Sequence, residues 1–263
     1  MSFFRLKCIP VFCLLAGLLL LSGCITTTER VFTNAADPEK ALQTRVQLAR
    51  SYIGEQNWVD AKRNLRVAAS IDPNSPEVHE AFALVYQSTG EYELAEKNYK
   101  RAIALKRPFS RARNNYAAFL YSQERYREAE AQLEVVIKDT LYEARPRAFI
   151  NLGLCRLRLD NPTGAKEAFT RALTMDRTNR IALIEMAHLE FEEGNWRLAS
   201  RYLKNYQMLV KRQSARALWL GLRLAQKLDD ENAFASRALA LRNIYPESAE
   251  FQAYEQAVQR GEL

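Results

Sequence analysis

Two histidines and four cysteines are the side chains best suited to metal ligation or nucleophilic attack, and they are scattered along the chain. His79 and His188 stand far apart, and neither has further ligands at the spacing a metal site needs. No glycine-rich phosphate loop, Gly-x-Ser-x-Gly elbow or His-Glu-x-x-His run occurs. The acidic pairs Glu192-Glu193 and Asp229-Asp230 fall between helical stretches, where capping and solvation account for them. The expectation is therefore a chain with no catalytic residue, no metal, no dissociable cofactor and no small-molecule substrate.

Cys24 has a different chemistry. Arg5 and Lys7 precede an uncharged run from Ile9 to Leu21, which ends in Leu21-Ser22-Gly23-Cys24. A short basic region, an apolar core and small residues at its end make a secretory signal, and the run is too short for a comfortable bilayer span. Leu-Ser-Gly-Cys resembles the bacterial lipobox. That resemblance implies cleavage before Cys24, a covalent diacylglycerol on its thiol and a fatty acyl on its new amino group. Several acyl chains together give stable anchoring, each buried methylene adding about 0.8 kcal/mol. The residue after the cysteine is Ile25 rather than an aspartate, which in lipoproteins implies export to the outer membrane. Cys8 and Cys13 leave with the leader, so Cys155 remains as a lone thiol, read as buried and inert.

The rest of the chain is periodic. Ala61, Ala95, Ala129, Ala165, Ala199 and Ala233 recur at intervals of 34, 34, 36, 34 and 34 residues. Twelve positions before each stands Ala49, Ala83, Ala117, Gly153, Ala187 or Gly221, each preceded by a large apolar residue: Leu48, Phe82, Tyr116, Leu152, Met186 or Leu220. Small residues let paired backbones approach closely while large ones fill the holes between turns. A period near 34 resembles the tetratricopeptide repeat. That likeness implies an all-α fold, a superhelix of six helix-turn-helix repeats with a C-terminal capping helix. Residues 1–23 read as the signal, 24–37 as lipidated terminus and tether, 38–247 as the repeats and 248–263 as the cap. Phe251, Tyr254 and Val258 are expected to cover the last repeat, though docking of this helix elsewhere stays open.

In such folds the first helix of each repeat lines the concave face, and helical spacing projects which side chains point there. The stripe includes Val46, Arg50, Ile53, Leu84, Asn114, Asn115, Tyr121, Ile150, Asn151, Leu154, Arg158, His188, Phe191 and Leu222, with Glu80 also on it. Exposed, its apolar members would form a patch large enough to require a partner. Asn114, Asn115 and Asn151 would then bond the backbone of a guest segment. The alternative is that superhelical curvature or the C-terminal helix buries part of the stripe. The sequence leaves open whether the concave or the convex face binds.

The formal net charge of +7 falls to about +5 without Arg5 and Lys7. Its cations are interleaved with glutamates, as in Glu124-Arg125-Tyr126-Arg127-Glu128. That pattern marks a solvated face rather than the concentrated basic stripe of a nucleic-acid binder.

Three stretches narrow the likeness: Asn114 to Tyr121, Lys138 to Arg145 where the period lengthens, and Leu218 to Ala225. With the lipobox, the six repeats and Tyr245 to Phe251, they resemble the type IV pilus biogenesis and stability lipoproteins. Gly164, in place of a better helix former, and Arg237, in place of a large apolar residue, depart from that pattern. The resemblance implies a pilotin on the periplasmic face of the outer membrane, held there by its lipid. It would bind type IV pilus secretin subunits and promote their targeting and multimerisation. Two other roles share the anchor and repeats: an adaptor of β-barrel insertion, and an adaptor of cell-wall enzymes.

Overall fold

The computed structural model describes residues 37–263, so the leader, Cys24 and most of the tether lie outside the described residues. The chain divides after Ala41, and Leu42–Leu263 forms one compact unit. Thirteen α-helices and no strand occur among the described residues. Six consecutive pairs are α1 (Pro38–Gly54) with α2 (Trp58–Ile71), α3 (Pro76–Ser88) with α4 (Tyr92–Leu105), α5 (Ser110–Ser122) with α6 (Tyr126–Val136), α7 (Arg145–Arg158) with α8 (Pro162–Met175), α9 (Arg180–Glu192) with α10 (Trp196–Leu209), and α11 (Ala215–Lys227) with α12 (Glu231–Ile244). A thirteenth helix, α13 (Ala249–Gln259), follows.

Local signals start these helices. Asp37 accepts from the backbone amides of Glu39 and Lys40 ahead of Pro38. Asn57, Asn161, Asn179, Ser214, Asp230 and Ser248 each cap the helix that follows through a side-chain oxygen. Each turn between paired helices is made by a left-handed residue: Gln56, Gly90, Glu124, Asp160, Gly194 and Asp229. Four of the six are not glycine, so the turn is held by the packing on either side rather than by backbone freedom.

Both small-residue ladders are packed as their spacing requires. Ala61, Ala95, Ala129, Ala165 and Ala199 have no exposed surface, and neither do Ala49, Ala83 and Ala187. The ends of the stack depart from the pattern. Ala233 is only half-buried, and Leu48 is 41% exposed because no helix pair precedes the first among the described residues. The largest continuous core runs from Ala83 to Leu189, under α3 to α9. The first two repeats share separate smaller clusters around Leu65 and Val46, and another forms around Leu241 at the far end.

α13 packs against both α11 and α12, burying Phe251 against Leu218 and Leu241. Val258 does not join that cover and is exposed, while Ala257 is buried instead. The two departures from the repeat pattern are accommodated separately. Arg156 donates to the Gly164 carbonyl at 3.1 Å, and the Arg237 side chain lies across Gly221, filling space that an apolar residue would take.

Candidate functional site

The first helices of successive repeats touch one another at α3 with α5, α5 with α7 and α9 with α11. No two second helices approach comparably among the described residues. The first helices therefore line the inside of the curve, and the projected stripe lies along it.

That stripe is less exposed than its composition suggests. Val46, Ile150 and Phe191 are buried and Leu222 is fully so, while Ile53, Leu84, Tyr121 and Leu154 are half-buried. An exposed apolar patch over the whole stripe is thus not present. Contact between neighbouring first helices covers part of each one, and α13 packs on α11, which carries Leu222. The Arg223 guanidinium stacks on the Phe191 ring with its centre 4.2 Å from the centroid.

The polar members of the stripe are also engaged. Asn151 donates to Asn114 at 3.2 Å, and Asn115 donates to Glu80 at 2.7 Å. The three amides expected to meet a guest's backbone therefore already bond within the protein, because neighbouring first helices bring them into reach of each other. Arg50 forms a very short ion pair with Glu80, a fully buried carboxylate that Arg111 also approaches at 3.7 Å. Glu80 thus ties α1, α3 and α5 together. Further along, Arg216 grips Glu185 through two parallel bonds of 2.6 and 2.9 Å. Arg158 donates to the Tyr126 hydroxyl at 2.6 Å and lies over its ring. Sequence spacing placed Glu80 on the stripe, but Glu185, Arg111 and Arg216 went unnoticed; their acid and base are about 30 residues apart, one repeat, and that periodic charge pairing is the signal that would have found them.

An opening remains at the middle of the stripe. Ala117, Ala118, Tyr121, Asn151, Leu154 and Cys155 enclose a mostly apolar cavity of about 80 Å³ between α5 and α7. Its mouth is set by exposed Ala118 and the Tyr121 ring, which stands edge-on to Tyr126. Cys155 lies at its floor, with burial pushing its thiol up to about 12. A thiol so hard to ionise is a packing group, not a nucleophile.

Neither imidazole belongs to a ligand cluster, and no group of three or more His, Cys, Asp or Glu among the described residues could hold a metal ion. His79 lies between Asn98 and the Pro73 carbonyl, at 2.9 and 3.1 Å. His188 is half-buried, with its Nε2 enclosed and unbonded. Burial, aided by the Arg216 and Arg223 charges and opposed by Glu185, lowers it from 6.5 to about 4. The folded state thus favours neutral His188. The stabilisation is complete above pH 6.5 and is lost as the pH falls toward 4, because the unfolded chain takes up the proton first. Allowing for its remaining exposure, the effect is on the order of 1–2 kcal/mol. His188→Leu is expected to flatten the fall in Tm between pH 6.5 and 4; an unchanged pH profile would rule this out.

Comparison with known proteins places these features among relatives. The tetratricopeptide repeat model matches residues 76–109 and 146–179. The chain is 37% identical over 248 residues to the type IV pilus assembly protein PilF of Pseudomonas aeruginosa, covering 93% of this chain and 96% of that one. The structure from the functional characterization of Pseudomonas aeruginosa PilF superposes with a TM-score of 0.80 at 38% identity, covering 83% of this chain and 98% of the other. The structure of PilW, described as a widely conserved type IV pilus biogenesis factor, gives a TM-score of 0.70 at 25% identity, covering 82% and 98%.

Proposed function

Because the chain belongs to the family of the type IV pilus assembly protein PilF, we propose that it serves type IV pilus biogenesis as a pilotin. In this reading it is an outer-membrane lipoprotein, acylated at Cys24, that binds secretin subunits and promotes their multimerisation. The observation that carries the reading is the near full-length likeness to PilF, together with a stack whose inner face retains a small apolar opening. An opening of about 80 Å³ admits one aliphatic side chain of a guest, and the flanking stripe supplies the rest of the contact. No helix among the described residues is long and apolar enough to cross a membrane; in this reading attachment comes from the lipid on Cys24. Acyl chains confine the carrier to one surface and so raise the effective concentration of any bound subunit there.

The test is deletion of the gene, followed by outer-membrane fractionation on an unheated denaturing gel probed for the secretin. Loss of the heat-resistant multimer with monomer persisting is expected. Restoration with Cys24→Ala separates anchoring from binding: the subunit contact should survive while the multimer leaves the outer membrane. Ala118→Arg plugs the opening from an exposed position and should prevent multimerisation without unfolding the protein. Normal multimers in the deletion strain would instead favour an adaptor of cell-wall enzymes, and depletion of many barrels an adaptor of β-barrel insertion.

A further inference from the structure

At four of the five junctions between repeats the residue after the ladder alanine closes a charged pair to the next repeat; at the fifth it does not, and Glu185–Arg216 and Glu192–Arg223 bridge the two repeats instead. The residue directly after each ladder alanine supplies one partner: Lys62 meets Glu91 at 2.7 Å, Glu96 meets Arg125 at 2.8 Å, Glu130 meets Arg156 at 3.0 Å and Lys166 meets Glu190 at 2.8 Å. Each reaches the following repeat. In the fifth repeat that position is Ser200, too short and uncharged to make the bridge.

A cleft of about 950 Å³ opens at the edge made by the turns of the fifth and sixth repeats, lined by α10 and by the ends of α9 and α11. Arg197, Arg201 and Lys227 line it, and none has an ion-pair partner among the described residues. Lys166 is neutralised by Glu190 and Glu193, which leaves Asp229 as the unpaired carboxylate against three unpaired cations. Trp196 is 38% exposed in the same cleft, with the Lys227 ammonium 5.7 Å from its ring centroid. The inner stripe contributes none of these residues.

We propose that this cleft seats an acidic peptide segment of a partner protein, its carboxylates paired with Arg197, Arg201 and Lys227 and an apolar side chain resting on Trp196. The setting of Trp196 favours a segment over a membrane surface. The cations line an open cleft, and the indole is partly covered with the Lys227 ammonium over its ring rather than projecting as a membrane anchor does. Guanidinium groups favour planar carboxylates with two parallel bonds, and the indole face adds apolar contact at low entropic cost. This surface is independent of the inner stripe, so its failure would leave the pilotin reading untouched.

The test uses the full chain in detergent with a fluorescein-labelled oligoglutamate peptide as probe. Saturable binding that weakens with salt is expected, accompanied by a change in tryptophan emission that Trp196→Phe removes. Arg197→Glu with Arg201→Glu should weaken binding at least about tenfold. Arg66→Glu with Arg127→Glu makes the same change in net charge at exposed positions elsewhere and should leave affinity nearly unchanged. Equal loss in that control would reduce the effect to net charge and overturn the proposal. So would absence of binding, or capture by micelles containing an anionic phospholipid in place of the peptide.

Discussion

Glu80→Ala should lower unfolding free energy by about 3–5 kcal/mol, the usual cost of breaking a buried, hydrogen-bonded charge pair from one side. Glu80 has no exposed surface, and its two oxygens serve Arg50, Arg111 and Asn115 on two other helices. Removing it leaves the Arg50 guanidinium and the Asn115 amide unmet where water enters poorly, and unties three repeats at once. Glu80→Gln keeps an acceptor for Asn115 and should cost less. Replacing Glu80 with Leu and Arg50 with Met together should recover much of the loss, because the penalty lies in the stranded partner. By contrast, Arg223→Ala at the exposed 3.3 Å pair with Glu192 should change stability by less than about 1 kcal/mol through that pair. Urea unfolding of the set decides it; a Glu80→Ala cost below about 1 kcal/mol would show that the cluster is not structural.

The second large effect is at Gly153. A Cβ there would fall 2.5 Å from a ring carbon of Phe169, which is fully buried in the main core and has no room to retreat. Gly153→Val is expected to cost more than about 3 kcal/mol, at the upper end of overpacking penalties. Gly153→Ala should cost less, since alanine's better helix propensity offsets about 1 kcal/mol. Gly221 is the instructive control. Its Cβ would meet Arg237 at 2.6 Å, but this is a long, partly exposed side chain that can swing aside. Gly221→Ala should therefore be nearly neutral, although both glycines occupy the same position in their repeats. Equal losses at the two sites would contradict the packing described here.

The same pair shows where reading the sequence succeeds and where it stops. The alanine and glycine ladders announced paired helices, their number and their register, because a small residue at fixed spacing has one packing consequence in a stacked repeat. They did not distinguish Gly153 from Gly221, since what faces each one comes from another helix. The stripe shows the same limit. Helical phase placed Asn114, Asn115 and Asn151 on the correct face but could not reveal that they bond to Glu80 and to each other. Nor could it foresee how far neighbouring helices cover Ile150 and Leu222. The left-handed turns at Gln56, Glu124, Asp160 and Asp229 carry no glycine and gave no local sign. At the chain end Val258 shares the helical phase of Phe251 and is nevertheless exposed while Ala257 is buried, so phase alone did not decide which residue is covered.

The distribution of the apolar core has a mechanical consequence. One continuous cluster joins α3 to α9, whereas the terminal repeats hold smaller, separate ones. In a stack where each unit leans only on its neighbours, stiffness follows the local depth of packing. The Leu42–Leu263 unit thus has a stiff central span and compliant ends. Under tension the end pairs yield first and absorb the load, and the central span keeps its curvature while they do.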